Sequence, residues 1–77
     1  MSDRPAPISE VDNAKLMLLG VYDARVMYSD DYPGRYYMEK TGFRTPGLRT
    51  LEGRLLYFDT MNELFKILAG NNYKWGQ

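Results

Sequence analysis

Two residue types that carry much of protein-based catalysis, cysteine and histidine, are missing from this sequence. Its 77 residues include no cysteine and no histidine. This excludes a thiol nucleophile, a histidine acid–base centre and a zinc site of the usual Cys/His kind. The serines have no histidine to activate them, and a hydrolytic site needs a nucleophile and a base together. We therefore predict that the protein is not an enzyme and has no catalytic residues, metal or cofactor.

One carboxylate pair remains as a candidate for chemistry. Asp30 and Asp31 are adjacent in the sequence, and neighbouring carboxylates are able to bind a divalent cation or share a proton. The segment 29–34, however, reads Ser-Asp-Asp-Tyr-Pro-Gly and is dense in turn-forming residues. The spacing of an EF-hand calcium loop is missing. We expect these two carboxylates to form a turn that faces water.

Basic residues recur in the glycine-rich stretch 42–53. It contains Arg44-Thr45 and Arg49-Thr50 and is followed by Arg54. Arginine forks and the backbone amides of glycine-rich loops suit phosphate oxygens. The stretch matches neither a Walker A loop nor the dinucleotide-binding fingerprint. Three interpretations stay open: a solvated connector between strands, a loop that binds protein carboxylates, and a loop that binds phosphates.

Tyrosine is concentrated in one part of the chain. Five of the seven tyrosines lie within 22–37, where Arg25 and Arg35 are interleaved with them. Tyrosine and arginine dominate the hot spots of protein interfaces, and the same residues stack on single-stranded bases. Because adjacent residues of a strand point to opposite faces, we expect one of Tyr36 and Tyr37 to be presented outward.

These patterns predict a partner-binding surface made by the hairpin segment 28–37 and the loop 43–54. Both segments connect strands, and connecting loops on a rigid scaffold are where function concentrates. The predicted partner-binding residues are Tyr28, Tyr32, Arg35, Tyr37, Arg44, Arg49 and Arg54.

The clearest secondary-structure element is a helix at 61–69. Thr60 and Glu63 have the spacing of a capping box, with Thr60 as the N-cap. Gly70 stands where a left-handed residue often ends a helix. The apolar residues of the helix recur at helical spacing and predict one core-facing stripe. They are Met61, Leu64, Phe65 and Leu68.

Three strands are predicted before and beside this helix. Residues 21–28 alternate in polarity, 35–41 follow after the turn-rich segment, and 54–58 form a short apolar run. The first two predict an antiparallel hairpin. We therefore expect an α+β fold, in which a small antiparallel sheet of about three strands packs one face against the helix 61–69.

Residues 9–19 allow two interpretations. Ser9 resembles a helix cap and Gly20 a helix stop, which favours a short N-terminal helix with Val11, Ala14 and Leu18 on one face. Alternatively, 15–19 extend the first strand, with Gly20 at a bulge.

The length of the chain limits the number of its domains, and its charge is unevenly distributed. Seventy-seven residues suffice for one small domain, which we place at 9–77 after a disordered, proline-containing lead-in at 1–8. Ten basic and ten acidic residues cancel. The balance is uneven, however, because 1–34 carry three basic and six acidic residues, whereas 35–54 carry five basic and two acidic residues. Such a polarised surface favours steering of a charged partner.

The cellular compartment is predicted from two features that the sequence lacks, a membrane span and a signal peptide. No window of ~18 apolar residues is present, so we expect no membrane span. The first residues do not have the pattern of a signal peptide. We therefore expect a cytoplasmic protein.

No motif in the sequence matches a family. In size and character the chain resembles the small proteins of phages and other mobile elements, among them the anti-CRISPR and other anti-defence proteins. This resemblance implies an inhibitor that occupies a surface of a host machine. We therefore predict a non-enzymatic binding protein with a protein partner. The alternative is a small nucleic-acid-binding module that uses the basic, tyrosine-rich middle of the chain, although net neutrality disfavours it. Formation of a homodimer is left open.

Overall fold

The architecture is α+β, with five antiparallel strands and two helices over the residues that the structure describes. The structure is a computed structural model and describes residues 3–42, 44 and 46–76. The strands lie in the sheet in their chain order. The elements are β1 (Arg4–Pro5), α1 (Glu10–Leu18), β2 (Ala24–Tyr28), β3 (Tyr36–Lys40), β4 (Gly47–Arg49), α2 (Met61–Gly70) and β5 (Lys74–Gly76).

The predicted hairpin is confirmed. β2 and β3 pair antiparallel, from Ala24 opposite Lys40 to Tyr28 opposite Tyr36. The alternation of the sequence decides which side chains are buried with the helices, because successive strand residues point to opposite faces. On the face away from the helices, Arg25 and Glu39 form a cross-strand ion pair with 2.9 Å between guanidinium and carboxylate.

The predicted third strand is wrong in its position. The strand that follows β3 is β4, within the stretch interpreted as a loop, and it pairs antiparallel with β3. Residues 54–58 instead make two isolated bridges, from Leu55 to Arg49 and from Phe58 to Tyr36. The segment contacts β4 at one end and β3 at the other, so no continuous ladder forms. Leu55 packs closely against Gly47. A β-carbon added at Gly47 would lie only 3.0 Å from the Cδ1 atom of Leu55.

The two outer strands were not predicted. β1 lies in the segment expected to be a disordered lead-in, yet Arg4 and Pro5 pair with β2 and Ala6 is buried. A short edge strand tolerates proline, because one side of it needs no hydrogen-bond donors. The expectation is therefore corrected for residues 3–8, whereas residues 1 and 2 lie outside the described part of the chain. At the other edge, β5 pairs with β4.

The N-terminal segment forms the helix α1, not an extension of the first strand. The Ser9 hydroxyl accepts a hydrogen bond from the Asp12 amide at 3.1 Å. Gly20 follows the helix with φ of 83°, a left-handed conformation that glycine adopts without strain. Both ends are therefore set by the residues that the sequence indicated.

The predicted C-terminal helix is confirmed as α2. The Thr60 hydroxyl accepts from the Glu63 amide at 3.3 Å, and the Glu63 carboxylate accepts from the Asp59 amide at 3.2 Å. The helix ends one residue later than predicted. Its left-handed cap is Asn71, with φ of 59°, and not Gly70. Asparagine is the non-glycine residue that most readily adopts this conformation.

The core lies between the two helices and one face of the sheet. Leu16 of α1 and Leu64 and Leu68 of α2 pack against inward-facing strand residues. The buried strand and loop residues in this cluster are Ala6, Val21, Val26, Met38, Leu48 and Phe58. Neither of these two helices is long and apolar enough to cross a membrane, a finding that applies to the described residues.

Candidate functional site

The seven residues predicted to bind a partner lie on different parts of the fold. Tyr28 is half-buried at the end of β2, where its ring packs against Tyr36 with centroids 5.2 Å apart. The guanidinium of Arg4 lies 5.1 Å from the centre of the Tyr28 ring. Tyr28 therefore contributes to packing at the edge of the core.

Tyr37 is buried on the opposite face of the sheet. Its hydroxyl donates a hydrogen bond of 2.5 Å to the Asp3 carboxylate. Burial, followed by the Asp3 contact, raises the pKa of Tyr37. The Tyr37 hydroxyl and then the Asp30 amide, which donates at 2.9 Å, lower the pKa of Asp3 from its usual value. The expectation that Tyr36 or Tyr37 is presented outward is wrong, because residues outside the hairpin cover both faces.

Tyr32, in the predicted turn, and Arg35, just after it, are both exposed. The Tyr32 ring lies edge-on against Tyr57, with centroids 4.8 Å apart. Arg35 pairs with Asp59 at 3.3 Å between Nε and Oδ1, and both side chains are more than half exposed. An exposed pair of this kind contributes little to stability.

The loop arginines differ from one another. Arg49 donates through Nη1 to the Gly53 carbonyl at 2.9 Å, and its Nε is buried without a hydrogen-bond partner among the described residues. Arg54 is exposed at the turn that follows β4. Arg44 is exposed and has a positive φ of 69°. Phe43 and Thr45, beside it, lie outside the described residues.

The structure therefore does not bring the seven residues together as one surface. Tyr28 and Tyr37 lie on opposite faces of the hairpin, and Arg49 is partly committed to holding its own loop. The exposed members are Tyr32, Arg35, Arg44 and Arg54. Their role in binding stays a prediction.

A different surface, which the sequence reasoning missed, carries most of the exposed apolar residues. The outer side of α1 has Leu18 at 87% exposure and Val11 at 66%. Tyr22, just after the helix, is 58% exposed. We call this the α1 surface, and it consists of Val11, Ala14, Met17, Leu18 and Tyr22. Four of the six large exposed apolar residues found among the described ones belong to it.

The helix has this surface because it is apolar on two sides. Leu16 is 2% exposed and Leu19 packs against the core, so the inward side is already complete. The stripe of Val11, Ala14 and Leu18 lies on the other side. A short helix that is apolar on both sides indicates a second contact besides its own core. This signal was present in the sequence, but the sequence does not show which side faces inward.

A pocket of about 310 Å³ lies between α1 and the start of β2. Leu16, Val21 and Ala24 supply apolar walls. The other lining residues are Asn13, Met17, Tyr22 and Asp23. The pocket adjoins the α1 surface through Met17 and Tyr22, which belong to both.

Asp23 is held at the pocket by unusual backbone geometry. Its φ is 54°, in the left-handed region that few non-glycine residues adopt. The Asp23 carbonyl accepts hydrogen bonds from the Thr41 amide at 2.7 Å and the Thr41 hydroxyl at 2.8 Å. These contacts to the end of β3 fix the backbone beneath the carboxylate.

The charge around this region is mostly negative. Glu10 and Asp12 lie in the first turn of α1, and Asp23 lines the pocket. Lys15 is the only basic residue of α1, and its ammonium group lies 5.4 Å from the centre of the Phe65 ring on α2. Negative charge thus lies at the start of α1 and at the pocket, the two regions that adjoin the apolar α1 surface.

No three acidic side chains converge in a way that would hold a metal ion, within the part of the chain that the structure describes. Comparisons of the chain with protein-family models, with curated proteins and with solved structures found no match. Function is therefore inferred from the surfaces described above.

Proposed function

We propose that this chain is a non-enzymatic binding protein that acts through protein–protein contacts, and that the α1 surface is its principal contact. The observation that carries the proposal is the exposure of Leu18 and Val11 on one side of a helix. Contiguous exposed apolar patches on small proteins mark interaction sites. Burial of each such side chain contributes about 1.5–3 kcal/mol, so an interface that covers both is favoured.

The way α1 is held supports this proposal. Ser9 caps the helix, Gly20 ends it, and Leu16 anchors its inner side in the core. The outward side chains are therefore presented on a rigid element. A rigid surface loses less conformational entropy on binding than a mobile loop does, and an apolar helix face is a recurrent means of protein recognition.

The resemblance in size and character to small phage proteins supports a more specific role. A protein of 77 residues without cysteine or histidine would inhibit a larger machine by covering one of its working surfaces. An anti-defence function, of which anti-CRISPR activity is one form, fits that mode of action. It follows from the resemblance alone and stays a prediction.

The experiment compares two exposed leucines on different surfaces. Leu18→Glu alters the α1 surface, whereas Leu51→Glu makes the same change at a 59% exposed leucine in the loop after β4. Tagged variants are used to capture partners from a nuclease-treated lysate of the cells in which the protein acts. We expect Leu18→Glu to lose the captured protein and Leu51→Glu to keep it, with both thermal midpoints near that of the wild type.

Two results would contradict the proposal. Loss of capture by Leu51→Glu alone would place the binding surface on the loop. Capture that disappears with nuclease and falls log-linearly with salt concentration would favour the nucleic-acid module, because counterion release produces that dependence.

A further inference from the structure

We infer that the pocket between α1 and β2 binds an arginine side chain of the partner, so that the partner segment carries apolar residues and an adjacent arginine on one face. This inference rests on the proposed function, since it names the chemistry of the partner at the same surface. The pocket residues are Asn13, Leu16, Met17, Val21, Tyr22, Asp23 and Ala24.

The shape and walls of the pocket suit a long side chain with an apolar stem. Its volume of about 310 Å³ is at the lower end of the ~300–1,000 Å³ typical of ligand pockets. Leu16 and Val21 are both buried and supply apolar wall atoms. The three methylene groups of arginine are able to lie along such walls while the charged end stays near solvent.

The polar residues of the pocket suit a guanidinium group. Asp23 supplies a carboxylate, which accepts paired hydrogen bonds from the planar guanidinium fork. Tyr22 supplies an exposed aromatic ring, on which a guanidinium stacks favourably. Lysine presents a compact charge without this planar geometry. The combination therefore selects arginine over lysine.

The backbone prepares the carboxylate for this contact. Asp23 has a left-handed φ of 54°, and Thr41 fixes its carbonyl through two hydrogen bonds. A non-glycine residue in this region costs energy and persists only where neighbouring contacts enforce it, which is a feature common at binding sites. Binding of an arginine would thus need little further ordering of the Asp23 backbone.

The surrounding charge favours a basic partner over an acidic one or an uncharged one. Glu10 and Asp12 add negative charge on α1, and Lys15 lies over Phe65. An arginine in the pocket would place neighbouring apolar side chains of the partner against Val11 and Leu18. The occupant is therefore a protein segment in which an arginine flanks an apolar stripe.

The test is an NMR titration with N-acetyl-arginine amide as the probe. N-acetyl-citrulline amide is the matched control, because citrulline has nearly the same shape without the charge. We expect saturable shifts of the backbone amides of Tyr22, Asp23 and Ala24 with the arginine probe. A charged hydrogen-bonded contact predicts a Kd at least about tenfold lower than that of the citrulline probe.

Two variants assign the effect to Asp23. Asp23→Asn keeps a residue that tolerates the left-handed backbone and should raise the Kd for the arginine probe at least about tenfold. Asp31→Asn makes the same charge change in the turn between β2 and β3 and should leave the Kd unchanged. Equal effects of the two variants would overturn the inference.

The remaining outcomes separate this inference from the proposed function. Either of two results would overturn the arginine pocket. One is equal binding of the two probes. The other is the absence of a saturable shift at the pocket up to about 50 mM probe, a concentration far above a Kd of 1 mM, which corresponds to only about 4 kcal/mol of binding free energy. If Leu18→Glu still abolished partner capture in that case, the proposed function would stand without the arginine pocket. If Leu18→Glu also had no effect, both would fail.

Discussion

At the scale of single residues, several side chains that resemble a binding set maintain the fold. Tyr37 is buried and donates to Asp3, and Arg49 donates to the carbonyl of Gly53. Their residue types are those of interface hot spots, but the same properties serve internal contacts in a small domain. Composition therefore predicts a binding surface but does not show where it lies, and that surface stays a prediction.

The contact between Asp3 and Tyr37 predicts a dependence of stability on acid. The pKa of Asp3 is lowered from 3.8, first by the Tyr37 hydroxyl and then by the Asp30 amide. A lowered pKa in the folded state means that the stabilisation is present above the ordinary pKa and is lost as the pH falls through the folded-state pKa. We expect Asp3→Asn to unfold at lower urea concentration than the wild type at neutral pH.

The control for this prediction varies both the pH and the donor. The difference between wild type and Asp3→Asn should shrink as urea unfolding is repeated at pH values progressively below 3.8. Tyr37→Phe, which lacks the donating hydroxyl, should show a weaker acid dependence than the wild type. A gap between wild type and Asp3→Asn that is the same at every pH would show that the carboxylate charge is not the cause.

At the scale of elements, the sequence predicted those that have a period or a cap. The helix α2 has both an apolar stripe and a capping box, and the hairpin of β2 and β3 has alternation around a turn-rich loop. By contrast, β1, β4 and β5 have two or three residues each. So short a segment shows no period, and it becomes a strand only because a neighbouring strand pairs with it.

The α1 surface was missed for a related reason. The residues of α1 predict a helix, and its caps are where the sequence placed them. Which side is buried depends on the sheet and on α2, because Leu16 packs with residues distant in sequence such as Met38 and Leu64. Local spacing grouped Val11, Ala14 and Leu18 correctly on one side but did not show that this side faces solvent.

The cap of α2 gives a prediction at this scale. Thr60→Ala removes the oxygen that accepts from the Glu63 amide, and loss of such an N-cap costs about 1 kcal/mol of stability. Thr60→Ser keeps an oxygen at the same position and should be close to the wild type. Urea unfolding measures both variants. Since Thr60 lies outside the α1 surface, partner affinity should be unchanged, and a large loss of affinity without loss of stability would place it in the binding site.

The inward side of α2 gives a second prediction. Leu64 is fully buried, so Leu64→Ala should cost about 2–5 kcal/mol, most of the stability of a small domain. Phe65 is only partly buried and its ring lies beneath the Lys15 ammonium. We therefore expect Phe65→Ala to cost less than Leu64→Ala. Thermal unfolding of both variants tests this order, and a Leu64→Ala midpoint equal to that of the wild type would contradict the packing of α2 on the sheet.

At the scale of the whole molecule, the fold leaves the apolar α1 surface exposed among the residues that the structure describes. Both helices pack on one face of the sheet together with Phe58, whereas Asp3 and Tyr57 contact the buried Tyr37 on the other face. The remaining exposed apolar side chains are concentrated on α1, next to acidic residues. We therefore place the proposed partner contact on the outer side of α1 and not on the sheet.

The oligomeric state follows from the size of these exposed features. The edge strands β1 and β5 span only two and three residues, and proline in β1 lacks a donor, so the sheet edges offer little for pairing between copies. Most of the α1 surface lies on a helix of nine residues, whereas a stable dimer buries about 800 Å² per partner. We therefore expect a monomer at micromolar concentrations in sedimentation velocity, with weak association at higher concentrations that Leu18→Glu removes. A dimer that persists at low concentration and is insensitive to Leu18→Glu would show that copies of the chain pair through another surface.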